Sequence, residues 1–375
     1  MKRKVLILFG GKSYEHDISI VSAFQCVKAF DEYLYDISLV YIDLSGKWRL
    51  VKKYSLEHFL SVREKLQEVQ LCVNDNYLYI KGKSGKYKQL SAIDVVFPIM
   101  HGLNGEDGCI AGYLSLSNIP YVGSDNVSSA IGIDKSLFKK VCNNLPVVDY
   151  VEFSNFEPDR FDNKVEFVDK KVGFPCIIKP VKLGSSIGIN YCENKDNFEK
   201  LLKKSLNFDK KVIIEPFIKN MREFNIALFS YCGDVVYSEI EEPLLNDNIL
   251  TFNDKYMNFS EQSTHKNIPA KLNQKLRNEI LNMAKQCYVA CGCSGVVRVD
   301  FIYDKDSKKL YINEVNTIPG ALGLYLFEAS GIDRKEVVNM LIHEAIRGYN
   351  IEKKNQIYFD SSVLKNKNLS KFNKF

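Results

Sequence analysis

The amino-acid sequence predicts an α/β chain that opens with a doubly wound unit and continues as α+β. Three observations carry this. Lys4–Phe9, apolar from Val5 on, reads as a buried strand and is followed by Gly10-Gly11 and by apolar residues at helical spacing (Ile20, Ala23, Phe24, Val27). Strand, glycine turn, helix is how a doubly wound sheet begins. From Ala130 the composition changes, and the strand-like runs GFPCIIK and VIIEPF are separated by polar stretches. Near the end, Val296–Tyr303 and Leu310–Val315 flank the charged loop Asp304–Lys309, the pattern of a hairpin. A chain of 375 residues is long enough for two or three such cores.

Composition narrows the function. With 46% hydrophobic and 26% charged residues this is ordinary soluble material. Of the net charge of +5, the tail Ile351–Phe375 holds +4, with six lysines against Glu352 and Asp360. A body that is nearly neutral argues against a nucleic-acid surface. The opening MKRKVLILFGG has too short an apolar core for a secretory leader, and no run approaches a membrane span, so a cytoplasmic protein is expected. Cys287, Cys291 and Cys293 are the one cluster among ten scattered cysteines, with no histidine nearby, and read as reduced buried thiols.

Taken in order, Glu15 stands at the first helix start, outside the carboxyl end of the first strand, where open α/β sheets bind ligands. The plainer alternative is a helix-dipole contact. The string GGKS is not a Walker loop, whose first glycine would fall at Leu6. Ile37–Ile42 is a strand, Leu56–Val69 a helical region, and Tyr77–Ile80 with Tyr87–Leu90 a hairpin. Apolar Ala92–Met100 ends in HGLNGEDG (residues 101–108), whose glycines let backbone approach a ligand. A helix opens at Ile133-Asp134-Lys135 and runs to about Asn143; a polar linker spans Ser154–Asp169. Strand Gly173–Lys179 leads to Gly184-Ser185-Ser186, a turn rich in N–H donors and suited to phosphates. Lys135 and Lys179 add ammonium groups that can neutralise an oligophosphate. Strand Val212–Phe217, with backbone at Glu215 beside Phe217 and Ile218, offers adenine a flat apolar slot, and Glu223 an acceptor for ribose. Asn225–Glu242 alternates as strands. Ile249–Pro269 is a long polar loop with Lys255-Tyr256, in the manner of a lid. Leu272–Ala290 and Asp333–Tyr349 are helices.

The hairpin carries the sharpest chemistry. Side chains alternate faces along a strand, so Arg298 and Asp300 share one face and Glu314 and Asn316 another. Symmetry about Ser307 pairs Asp300 with Glu314 and Arg298 with Asn316. Facing carboxylates repel and are costly to bury. A hard cation such as Mg²⁺ removes that objection. An exposed charged face is the bland alternative.

These motifs, in this order, resemble the D-alanine–D-alanine ligase family of the ATP-grasp superfamily. RVDF and NEVNTIPG at the hairpin, HGLNGEDG, and the GSS turn carry the likeness, which spans about residues 4–350. The resemblance implies an N-terminal α/β domain (1–128), a central ATP-grasp subdomain (129–212), a C-terminal one with the hairpin (213–350) and a basic tail (351–375), with ATP clamped between the second and third. It implies an ATP-dependent ligase of two D-amino acids, making D-alanyl-D-alanine for peptidoglycan through an acyl phosphate. Two Mg²⁺ ions, or Mn²⁺ in their place, would sit on Asp300, Glu314 and Asn316. Glu15 would hold the amino group of the first D-alanine, with His101 and Glu106 beside that substrate. Lys135, Lys179, Ser185, Ser186 and Lys255 would take the phosphates, with Ser185 also bonded to Glu15 and to a closing Tyr256. Glu215, Phe217, Ile218 and Glu223 would take the nucleoside. Arg298 and the Gly320 N–H would stabilise the oxyanion. Partners would be small molecules, neither nucleic acid nor membrane, and family habit points to a homodimer. Two departures stand out. Asn220-Met221 replaces a single glycine, and Ala321–Phe327 is short and lacks the serine and proline that hold the second amino acid. The acceptor therefore stays open, as do a ligase with a different acceptor and a silent nucleotide-binding relative.

Overall fold

The computed structural model describes residues 2–73, 75–155, 164–244 and 266–355. The N-terminal sheet has the order Trp48–Val51, Tyr35–Ile42, Arg3–Gly10, Val95–Ile99. Its central strand Arg3–Gly10 runs parallel to both neighbours and is buried from Val5 onward. Burial on both faces explains why the run has no polar alternation. The chain leaves this strand to one side and returns on the other, so the crevice opens where Gly10 and Ile99 end. Gly10 turns with φ +85°, and a Cβ there would meet the Ile42 carbonyl at 2.4 Å. The helix His16–Cys26 buries Ile20, Ala23 and Phe24 as its spacing predicts. The expected hairpin gains a third strand: Val69–Leu71 pairs with Tyr77–Lys81, which pairs with Tyr87–Ala92. The helix expected over Leu56–Val69 is correspondingly short, Leu56–Val62.

The central sheet is antiparallel, in the order Asn190–Cys192, Cys176–Pro180, Lys211–Pro216, Val151–Ser154. Within the stretch expected to be a linker, Lys164–Lys171 is a helix. Val165 and Val168, three residues apart on one helix face, pack with Phe167 on the core of this sheet, and the charged residues Lys164, Glu166, Asp169, Lys170 and Lys171 around them hide the period.

The C-terminal sheet has five strands: Lys266–Asn267, Asp234–Pro243, Met221–Tyr231, Val297–Asp304 and Lys309–Asn316. Helix Gln274–Ala290 covers one face with Ile280, Met283, Ala284 and Cys287. The last helix, Arg334–Glu352, runs two residues into the expected tail. It packs Val337, Val338, Leu341 and Ile342 into the same core as Val5 and Phe97 of the first sheet. The chain thus closes on its own beginning.

The hairpin register is as expected at the end that matters: Asp300 faces Glu314 and Arg298 faces Asn316. Symmetry about Ser307 fails toward the turn, where Phe301 pairs with Ile312 and Asp304 with Lys309. A bulge leaves Asn313 without a partner across the hairpin and absorbs the extra residue.

Candidate active site

One row of polar side chains crosses four strands. Pairing places Glu241 beside Asn225, Asn225 beside Asp300, and Asp300 beside Glu314. Each of the three acids takes a cation from the protein, Glu241 from Lys266 at 3.2 Å. Arg298 grips Asp300 with both guanidinium arms, each at 2.6 Å, and the Asn316 amide donates to the same carboxylate at 3.2 Å. Lys135 Nζ lies 3.2 Å from Glu314.

Beside the same cavity a second charged cluster is buried. Helix Lys135–Val141 is capped by Asp134, whose carboxylate accepts from the Ser136 and Leu137 N–H groups. One turn on from Lys135 lies Lys139, which the sequence reading missed. The spacing of four residues is the signal that could have found it. Lys139 Nζ is 2.7 Å and Lys179 Nζ 2.5 Å from the two oxygens of Glu215. Burial would raise the Glu215 carboxyl, but the two ammonium groups outweigh it and hold it at about 2. Lys135, Lys179, Ser185, Ser186, Phe217, Ile218, Glu223, Asp300 and Glu314 all line one cavity. The Phe217 ring meets Tyr191 edge-on at 4.9 Å. The structure therefore gathers the expected nucleotide residues around one space, with the Glu215 side chain serving as the lysine clamp.

The N-terminal domain meets this site through Glu15. Ser185 and Ser186 both take left-handed backbone, φ 53° and 60°. Non-glycine residues held there store of order 1–3 kcal/mol each and cluster at ligand sites. In this conformation the Ser185 hydroxyl donates to Glu15. Glu106 accepts from the N–H groups of Gly102 (2.8 Å) and Ile318 (3.2 Å). Burial, then the nearby Glu15 charge, raises its carboxyl well above the usual range. His101 is buried, 2.8 Å from Ser22 Oγ, and burial lowers it to about 4, so it is neutral at pH 7. Ser22 Oγ in turn accepts the Ala321 N–H at 3.1 Å. Ser22, also missed, ties the first helix to the turn Gly320–Gly323. Ala321 and Leu322 in that turn have φ 45° and 56°, and helix Leu324–Ala329 follows. Gly320 thus opens a strained turn beside the Glu106 and His101 loop. Lys255 and Tyr256 lie outside the described residues.

The chain has known relatives. The description "D-ala D-ala ligase N-terminus" matches residues 4–124 and "D-ala D-ala ligase C-terminus" residues 137–343. It is 34% identical over 366 residues to the D-alanine–D-alanine ligase of Thermosipho melanesiensis, covering 96% of this chain and 97% of the relative. With the ligase of Thermosipho africanus the identity is 36%, over 94% of this chain and 95% of that one. Among solved structures, the D-alanine–D-alanine ligase of Coxiella burnetii superposes with TM-score 0.78 at 28% identity, covering 94% of this chain and 96% of that chain. The VanG D-Ala:D-Ser ligase of Enterococcus faecalis also gives 0.78, at 27% identity over 92% of this chain and 100% of that chain. Among the described residues no helix is long and apolar enough to cross a membrane.

Proposed function

This chain belongs to the D-alanine–D-alanine ligase family and has its ATP-grasp fold, and on that premise we propose that it joins two D-amino acids at the expense of ATP. The observation that supports this best is the convergence of three elements on one cavity: the Asp300–Glu314 row, the Lys135/Lys179 pair and the Glu15–Ser185 link.

A carboxylate is a poor electrophile. Transfer of the γ-phosphoryl group to a carboxylate oxygen of the first amino acid gives an acyl phosphate and ADP. The amine of the second then attacks the carbonyl, loses a proton, and inorganic phosphate leaves. In this reading Lys135 and Lys179 neutralise phosphate oxygens. Glu15, fixed by Ser185, holds the ammonium group of the first substrate. Neutral His101 and the raised Glu106 surround that substrate without adding net charge. Arg298, with the Gly320 N–H, faces the developing oxyanion. The donor set of two facing carboxylates and the Asn316 amide oxygen is what a hard cation takes, and Arg298 and Lys135 neutralise the same acids in its stead. We assign Mg²⁺, or Mn²⁺, to Asp300, Glu314 and Asn316, as two ions; bound there, it would screen the phosphate oxygens and orient the transfer. Lys255 and Tyr256 complete the proposal as phosphate contact and closure. We further assign the chain to the cytoplasm, with domain limits at 128, 212 and 350, and a homodimeric state.

Phosphate release from ATP, measured over a panel of D- and L-amino acids, tests the reading. Release with D-alanine alone supports it. The turn Ala321–Gly323 favours a second reading, a different acceptor, so the panel includes D-serine and D-lactate. Release only with those moves the acceptor, and ATP binding without release on any member refutes the ligase.

A further inference from the structure

The hairpin between strands Met221–Tyr231 and Asp234–Pro243 turns at Cys232, an exposed residue with φ 52°. Against it lies the last helix, which presents His343 and Glu344. One ligand atom from each of the three, thiol, imidazole and carboxylate, lies within 4.8 Å of the others. Each is already oriented. Glu344 Oε2 accepts the Cys232 N–H at 3.2 Å, and the Tyr231 ring packs edge-on against His343 at 5.6 Å. Arg347 holds both oxygens of the Glu344 carboxylate, Nε donating to Oε2 at 2.8 Å and Nη2 to Oε1, so a metal ion would have to displace it from one of them.

We propose that Cys232, His343 and Glu344 form a surface site for one borderline divalent cation, with Zn²⁺ the best match. A mixed sulfur, nitrogen and oxygen set suits this ion, which takes four ligands. Three come from the protein, and exposure leaves the fourth to water. Binding releases the Cys232 thiol proton; thiolate and carboxylate then balance the dication. The other cluster of metal-ligating residues, Cys142, Cys287 and Cys291, fits worse. Three thiolates on a dication leave a net negative charge in an apolar core, where an unpaired charge is costly. None of the three surface residues lines the nucleotide cavity. An ion here would instead staple the Cys232 turn of the C-terminal sheet to the helix that packs into the N-terminal core. In its absence Arg347 supplies the positive charge beside Glu344, and so competes with the metal.

The test uses the full chain without an affinity tag, stripped with a chelator and titrated with Zn²⁺ against a chromophoric competitor. Co²⁺ is titrated in parallel, because thiolate ligation gives it a charge-transfer band that oxygen sites do not. One thiolate-ligated ion per chain is expected, with a higher melting temperature in Zn²⁺. Cys232→Ser should abolish the band and weaken binding by more than the ~10–100-fold typical of losing an outer partner. His343→Ala should weaken it comparably, and Arg347→Gln should tighten it. Absence of a Co²⁺–thiolate band overturns the proposal. So does a band that survives Cys232→Ser and vanishes in Cys287→Ala, which places the ion in the buried cluster.

Discussion

The two charged clusters beside the cavity look alike in composition and differ in environment. Lys139 and Glu215 are nearly sealed from water, with side chains 1% and 4% exposed. Arg298 and Asp300 keep 24% and 12%, and Lys135 and Glu314 keep 10% and 18%. In that sealed pair each charge answers the other, and nothing from solution can replace a partner without unpairing a buried ion, while Lys179, the second cation on Glu215, keeps 13% at the cavity edge and carries the excess positive charge. In the open one, each acid leans on a protein cation that an incoming metal and triphosphate could displace. The lesson is that burial separates charges that hold the fold from charges free for chemistry, even where the residue types match.

This contrast can be broken in several ways. The largest expected effect is on turnover. Asp300→Asn should lower kcat by about 10³-fold or more, about 4 kcal/mol of barrier, while the urea midpoint gives a stability within about 1 kcal/mol of the parent. Near-normal kcat in that variant removes the hairpin from the mechanism. Glu215→Gln should do the reverse and lower unfolding stability by about 3–5 kcal/mol, because two ammonium groups lose their buried partner. A loss below about 1 kcal/mol in denaturant titrations would erase the distinction between the clusters. The pH dependence sharpens it. Glu215 titrates at about 2 when folded and near 4.3 when unfolded. Its contribution is therefore fully present above the unfolded value and lost as pH falls through the folded one. The stability gap between parent and Glu215→Gln should be constant above about pH 5 and shrink from pH 4 toward 2. A gap that widens on acidification contradicts the assigned charge state. Smallest is Ser22→Ala, which removes one acceptor of the Ala321 N–H, worth about 1 kcal/mol. It should raise KM for the amino acids while leaving KM for ATP unchanged.

Much of this was legible in the chain alone, and the reason is local periodicity. The unbroken apolar run Val5–Phe9 before Gly10-Gly11 reads as a strand covered on both faces, and it is one. The alternation of Arg298 with Asp300 and of Glu314 with Asn316 fixes which side chains share a face, so the facing pairs at the site end were predictable. The register toward the turn was not, because a bulge at Asn313 changes no residue type that pattern reading weighs. Helix Lys164–Lys171 was hidden for a similar reason: its few apolar positions matter only once the central sheet is there to receive them.

What the sequence determined by itself was the set of elements and the chemistry each carries, since strand and helix periods and the Gly, Ser and Asp turn residues act over a few neighbours. Only the tertiary structure decided which charges are permanent. Lys139 reads as one more surface lysine until the fold brings Glu215 and Lys179 around it, 76 and 40 residues further along the chain. Cys232 and His343 likewise meet because the last helix returns to the first core. Electrostatic free energy depends on distance and on the exclusion of water, and both are set by packing between segments remote in sequence.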